Sequence, residues 1–563
     1  MTSPTPEPST TPPAWPHCGH GADLAGDPVG CRGIYVTGHT ACLAHLEQAG
    51  LNAYLDTLHP GADIDHRGTH IEAHRLNQIL DKLRDTTGQP NLGDARFDGA
   101  AFSGYARFGR VTFTGQTSFR RATFSRYAWF DGVTFTGDAL FGGVTFTGDA
   151  RFDRAAFTGD AVFVGVAFSG DARFDRAAFT GNAVFVGVAF SGDALFGGAR
   201  FEAASRLGPL VCGGTVDLSG AVFGVPVMVE VAAAQVLLLR TRWESTAALR
   251  LRYAEVDLAG AVLEYPVTLA AEPTPFPDAP EDWADELASA GPGVRISSVS
   301  GVDAAHLTLI DVDLTSCRFA GAVHLDQLRI DGRTTFDRPP AGWHRRGPLP
   351  VRWSRRRVLA EEQHWRAAVT GGAGPGPGLA ATSWRPGPHH PGLTRTPGPE
   401  TIAALYRQLR KALEDGKNEP GAADFYYGEC EMRRHDTTGT ARAERWLLAV
   451  YWAVSGYGLR ASRALAWLGA AMAATVVALM LWGIPADDPK PTTAGRQVET
   501  GRQLALTTDR FEKALRVVIN STVFRSSGQN LTTTGTYTEM TSRFTEPVLL
   551  TLAVLAVRAR VKR

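Results

Sequence analysis

ARFDRAAFTGDAVFVGVAFSGD, residues 150–171, is two copies of an 11-residue unit, and its reading decides the fold. Ten such units run without a break from Ala95 to Ala204. Phenylalanine marks the beat, at Phe97, Phe102, Phe108, Phe113, Phe119 and Phe124 and so on to Phe196 and Phe201, with gaps alternating between five and six residues. Two residues before each Phe stands a small residue: Ala fourteen times, Val five times and Thr once. A right-handed helical coil also has an 11-residue period. However, seventeen glycines fall within 95–204, and each costs about 1 kcal/mol inside a helix. The unit therefore reads as a short extended step followed by a turn, twice over. A large and a small residue on one side of each step fill a narrow interior, and TGD, SGD, DRA and GGV make the corners.

The pattern resembles the pentapeptide-repeat family, whose steps carry a small residue, a variable one, then Leu or Phe. The resemblance implies a mainly β fold, a right-handed quadrilateral β-helix with the Phe and small residues inside. Here the steps come as 11-residue pairs, so four steps predict a coil of about 22 residues, and the block holds roughly five coils. Some members of that family are acidic rods that imitate DNA and inhibit topoisomerases. This block is balanced, with ten acids against eleven arginines, so inhibition by DNA mimicry is the least supported function. The whole chain is also neutral, with 57 Lys and Arg against 57 Asp and Glu. No bulk attraction to nucleic acid follows, and no nucleic-acid partner is expected.

At 563 residues the chain exceeds one compact core, so several domains are expected. Residues 1–16, rich in Pro, Thr and Ser, read as a disordered tail without a secretory signal. Residues 17–94 read as a small Cys/His-rich, partly α-helical lobe that caps the first coil. It gathers Cys18, Cys31, Cys42, His17, His20, His39 and His45. Thiolate and imidazole in fours favour zinc, and the best set is Cys18, Cys31, Cys42 and His45, with His20 as the alternate ligand. Cys42 and His45 are three apart and share a helical face. A metal here would be structural zinc; the bland alternative is a hydrophobic lobe with free thiols. Asp63, Asp65, His66, His70 and His74 read as solvated turn residues, with a metal or acid/base cluster as the alternative.

The β-helix is predicted over 95–338: regular over 95–204, degenerate over 205–338, with an inserted loop at 271–293. Its weaker beat is carried by Leu218, Phe223, Val229, Leu258, Leu263, Leu269, Leu309, Leu314, Phe319, Leu325, Ile330 and Phe336. A separate β domain over 215–338 is the alternative. Residues 339–398 read as a Pro/Gly/Arg-rich linker with one helical piece, VLAEEQHWRAAV (358–369). The linker's clustered arginines (Arg345, Arg346, Arg352, Arg355, Arg356 and Arg357) suit anionic lipid or plain solvent, and 399–436 reads as a helical hairpin.

Residues 437–563 read as a membrane section. It has an interfacial helix at 446–458, a transmembrane helix at 464–484, an extracytoplasmic loop at 485–543 and a second, short membrane helix at 544–557. Arginines before the first span and RARVKR after the second place both ends in the cytoplasm. Glu546 needs a partner inside its span. This section resembles two-helix ion channels in outline, with FEKALRVVINSTVF (511–524) in the place of a pore helix, and Thr533–Tyr537 faintly resembles a potassium filter, although the second glycine is missing. Solenoid, hairpin and membrane helices together resemble membrane-anchored pentapeptide-repeat proteins of high-GC bacteria. No nucleophile elbow, phosphate loop or dinucleotide fingerprint is present. The expectation is therefore a non-enzymatic scaffold at the cell membrane. Its partners are the lipid bilayer and an unidentified protein, oligomers are compatible with it, and structural zinc is the one cofactor. A channel-like or sensing membrane protein is the alternative.

Overall fold

The computed structural model describes residues 11–23, 26–277, 291, 293–341, 343–346, 349–370, 384–386, 396–485, 507–523 and 531–561. Residues 1–10 of the expected tail, most of the inserted loop and parts of the linker and extracytoplasmic segment lie outside them. The chain forms two compact units, residues 1–397 with 411–416 and residues 398–410 with 417–563.

In the first unit each step pairs in parallel with its counterpart one coil further on: Ala128 with Ala150, Phe135 with Phe157, Ala139 with Ala161, Thr145 with Ala167. Four short strands make one coil, and the coils stack as a β-solenoid of about ten turns. Three faces merge in a 25-stranded sheet and the fourth forms a 9-stranded sheet. Neighbouring strands lie about 4.8 Å apart, a spacing that suits stacked rings. Phe152 lies 4.7 Å from Phe130 and 4.8 Å from Phe174, nearly parallel to both, and meets Phe141 edge-on at 5.5 Å. Four such columns, with the small residues between them, leave the Phe side chains of 97–201 buried.

Beyond Leu207 the coil shortens. Leu207 still pairs with Val229, a full coil of the Phe block away. Val216 pairs with Val236, Val227 with Ala247 and Ala247 with Val267, each partner arriving two positions sooner. The corners have lost their extra residue, and aliphatic side chains replace most rings. The ladder runs on to Thr308–Ile310 against Arg329–Asp331, so these strands stack on the Phe block as one solenoid. Val267 pairs with Leu307, at twice the interval that separates Ala247 from Val267. That is one short coil plus an insertion of the same length, which falls between Ala271 and Arg295.

The N-terminal lobe supplies the first part-coil. Ile64–Asp65 pairs with Ala95–Arg96, His70–Glu72 with Ala101–Ser103, and Asn91–Leu92 with Thr112–Phe113. Helices α1 (Gln48–Leu55) and α2 (Ala73–Lys82) pack here, α2 through Leu76, Ile79 and Leu80. His66 corrects the reading of this stretch as solvated turn. Its amide donates to the Arg96 carbonyl at 2.8 Å, which sets its side chain on the ladder above Phe97, at 6.3 Å. It is 1% exposed, its Nε2 lies 2.9 Å from the Tyr54 hydroxyl, and burial pushes its pKa down to about 4. Asp63 is structural too, accepting the Asp94 amide at 2.8 Å.

At the far end the helical piece expected at 358–369 is present, but it packs on the solenoid instead of lying in the linker expected at 339–398. Helix α3 (Ala360–Thr370) closes the solenoid there. The buried Glu361 carboxylate accepts the Phe319 and Ala320 amides at 2.6 and 2.8 Å, and burial raises its pKa. Beside it Glu362 takes Arg356 at 2.6 Å and Arg366 at 2.7 Å. The Arg366 guanidinium lies over Trp353 and Trp384, 4.8 and 4.9 Å from their centroids. Arg356, grouped by sequence with surface arginines, is thus an interior residue, 7% exposed.

The second unit is helical. Helices α4 (Pro399–Asp415) and α5 (Glu419–His435) cross closely: a Cβ on Gly428 would lie 2.5 Å from the Tyr406 ring. Helix α6 (Arg442–Ser455) ends before the interfacial helix expected at 446–458 would. Gly456 and Tyr457 take left-handed backbone and turn the chain back. Tyr457 is buried, its hydroxyl donating to Glu431 at 3.0 Å while Arg434 donates to that hydroxyl at 3.1 Å. Residues 456–458 latch α6 to α5 through this network.

Two helices are long and apolar enough to span a bilayer, over Ala461–Gly483 and Thr533–Arg558. The first comprises α7 (Ala461–Ala478) and a π-turn, Leu479–Gly483. The second lies in α9 (Thr533–Val561), which replaces the short helix expected at 544–557. Its 26 residues give about 39 Å, enough for a hydrocarbon layer of about 30 Å. Helix α8 (Thr508–Val523) falls where the channel resemblance puts a pore helix, at 511–524, within the segment expected as loop at 485–543, which also contains the start of α9. Threonine hydroxyls explain how a polar stretch continues the helix: Thr538, Thr541 and Thr545 donate to the carbonyls four residues back. Thr533–Tyr537 is therefore helical, and its carbonyls face along the helix instead of forming a filter loop. Glu546 is fully buried and accepts from Thr475 of α7 at 3.1 Å.

Candidate metal centre

The Cys/His cluster is assembled by three short pieces of chain. A ribbon joins the first two, with Cys18 N donating to Gly33 O at 2.8 Å and Gly19 N to Cys31 O at 2.8 Å, so Cys18 and Cys31 face each other. The third is a single helical turn, in which His45 and Leu46 amides return to the Cys42 carbonyl at 2.9 and 3.1 Å. That turn puts Cys42 and His45 on one side. Gly33 makes the approach possible: a Cβ there would lie 2.8 Å from Cys42 Cβ and 2.9 Å from its Sγ.

The ligand atoms of Cys18, Cys31, Cys42 and His45 all lie within 4.8 Å of one another. Cys31 Sγ and Cys42 Sγ are 3.7 Å apart, Cys42 Sγ and His45 Nδ1 3.4 Å, Cys18 Sγ and His45 Nδ1 3.6 Å. A tetrahedron with zinc–sulfur bonds near 2.3 Å and zinc–nitrogen bonds near 2.0 Å has S···S edges of about 3.8 Å and S···N edges of about 3.5 Å. The three distances match those edges, and three thiols with one imidazole are compatible with zinc. Four protein ligands leave no open position, so such a site is structural. The hydrogen bond between the two thiols lowers the Cys31 pKa to about 5 and raises that of Cys42, so the pair retains a proton that a bound metal would displace.

His20 stands outside the ligand set. Its ring stacks on His45 at 4.1 Å, supporting the ligand from behind. His66, His70 and His74 join no metal cluster among the described residues. The site is tied to the solenoid: Ile34 N donates to Arg67 O at 2.9 Å, Trp15 Nε1 donates to Arg32 O at 2.9 Å, and Arg67 covers the Trp15 ring at 5.1 Å. Sequence reasoning missed the His66–Tyr54 pair and the Glu361 cap. For His66 the signal was available: it follows Ile64 by two, as Phe97 follows Ala95, the inward-residue spacing of the ladder.

The fold and the comparisons define the class together. A family model described as "Pentapeptide repeats (9 copies)" matches residues 97–145, 130–178 and 141–188. The chain thus carries a pentapeptide-repeat β-solenoid, with a Cys3His cluster in its N-terminal region and two apolar helices in its C-terminal part. No curated protein and no solved structure matches it.

Proposed function

We propose that this chain is a membrane-tethered scaffold: the solenoid offers lateral faces to partner proteins, and the helices over Ala461–Gly483 and Thr533–Arg558 hold it at the bilayer. The observation that carries the reading is the combination, in one chain, of a stacked solenoid with two span-length apolar helices. Zinc on Cys18, Cys31, Cys42 and His45 stabilises the lobe that begins the ladder. Arg460 and Arg463 at the start of the first span, and Arg558 and Arg560 at the end of the second, support a cytoplasmic solenoid with both ends on that side. The reading is non-enzymatic.

The test has two parts. Carbonate washing of membranes should leave the full chain in the pellet, and tags at both ends should be digested only in inside-out vesicles. Photo-crosslinkers placed on solenoid faces in living cells should then capture discrete protein partners. Release by carbonate removes the tether, and an absence of crosslinked partners removes the scaffold.

A further inference from the structure

The balanced charge of the Phe block conceals an asymmetry. Residues 95–138 hold six arginines and three aspartates, whereas 139–204 hold five arginines and seven acids. The difference is concentrated on one face. Asp149, Asp171 and Asp193 form a corner column, one residue per coil, each of the later two amides donating to the carboxylate before it. In the first two coils that column continues as Tyr105 and Tyr127, which are 39% and 40% exposed and stack at 5.8 Å. On the adjoining strand, Arg151 and Arg173 are each closed by the Asp two residues on, at 3.1 and 3.2 Å. Arg107 is their counterpart in the first coil, but residue 109 is glycine. The backbone does not demand it: a Cβ at Gly109 would meet only the Asp131 carbonyl, at 3.7 Å. Arg107 is left over the Trp129 ring at 5.0 Å. Arg107, Arg110 and Arg126 are exposed and have no ion-pair partner among the described residues. A cavity of about 570 Å³ opens here between α2 and the coils, lined by Arg84, Arg107, Arg110, Trp129 and Asp131 among others.

We propose that this face, formed by Tyr105, Arg107, Arg110, Arg126, Tyr127 and Trp129, is the docking site for an acidic, extended segment of a partner protein. Uncommitted guanidinium forks recognise carboxylates, and tyrosine hydroxyls add donors along the same line. Nucleic acid fits less well. Base stacking needs open ring faces, but these rings stack on one another and under Arg107, so they turn their edges outward. The proposal rests on the scaffold reading and gives it a surface.

Fluorescence anisotropy of the full chain in nanodiscs tests it, with a short fluorescein-labelled oligoglutamate and an oligothymidylate of equal length as probes. The expected result is salt-dependent oligoglutamate binding, weakened about tenfold by Arg107→Gln with Arg110→Gln, partly restored by Arg107→Lys with Arg110→Lys and unchanged by Arg173→Gln, whose parent arginine is already paired with Asp153 and Asp175 outside the site. Absence of oligoglutamate binding, equal binding by the double variant, or tighter binding of oligothymidylate overturns it. Crosslinked partners on other faces would leave the scaffold standing and this site refuted.

Discussion

Phe152→Ala is the sharpest test of how the solenoid is held together. The ring is fully buried. It stacks on Phe130 and Phe174 at 4.7 and 4.8 Å and meets Phe141 and Phe163 edge-on at 5.5 and 5.8 Å. Removing it forfeits the transfer energy and leaves a cavity walled by rings pinned to their own coils, which limits collapse; the cost is about 3–5 kcal/mol. In a stacked array that loss falls on the mutated coil and its two neighbours. At about 1.4 kcal/mol per decade, amides such as those of Phe130 and Phe152, which donate to Arg151 and Arg173 one coil on, should exchange about two to three and a half orders of magnitude faster. Hydrogen exchange read by mass spectrometry on the full chain measures this coil by coil. The strands at Leu307–Ile310 should keep their protection. A change below tenfold at Phe130 would refute ring packing as the main stabiliser, and equal loosening at Leu307–Ile310 would refute the nearest-neighbour account.

Elemental analysis of the purified chain should find one zinc per chain. Cys42→Ser should abolish it and His20→Ala should keep it, since His20 stacks on a ligand without joining the set. Glu361→Ala strands two buried amides at a cost of about 2–5 kcal/mol, and exchange at Phe319 and Ala320 should rise while the Phe block is unaffected. His66 is held neutral, its pKa lowered from 6.5 to about 4. Its contribution is thus complete above about pH 6.5 and is lost as the pH falls toward 4, a change on the order of 3 kcal/mol. Protection of the first coil should decline across that window, and His66→Phe, which continues the ring column, should flatten the decline.

The repeat was legible because one chemical rule, large after small with a turn between, recurs often enough to exclude a helix. It stayed legible past Phe201 wherever a single aliphatic residue held the inward position, as Leu258 and Leu309 do. The ligand set could be read because Cys42 and His45 sit one helical turn apart and thiols are scarce in the chain. The rest depended on distance through space. Glu361 lies 42 residues from the Phe319 amide it caps, and no local pattern announces a carboxylate that serves another segment's backbone. Tyr457 looked like part of an interfacial helix because its neighbours are aromatic, yet a left-handed turn at Gly456 sends it inward. The upstream half of α9 was lost because hydropathy counts threonine as polar, while its hydroxyl is spent on the helix itself.

The register of the coils also constrains how such a gene can change length. Excising Ala150–Asp171 would join Asp149 to Ala172, the residue already stacked on Ala150, and every downstream face would keep its compass bearing. Excising only one of the two repeat units in that stretch would preserve the Phe rhythm but swing all that follows through half a turn. The cap and the shorter coils beyond Leu207 would then look away from the tyrosine corner. Gains and losses of whole coils alter the rod's reach, whereas odd half-coils alter its aim.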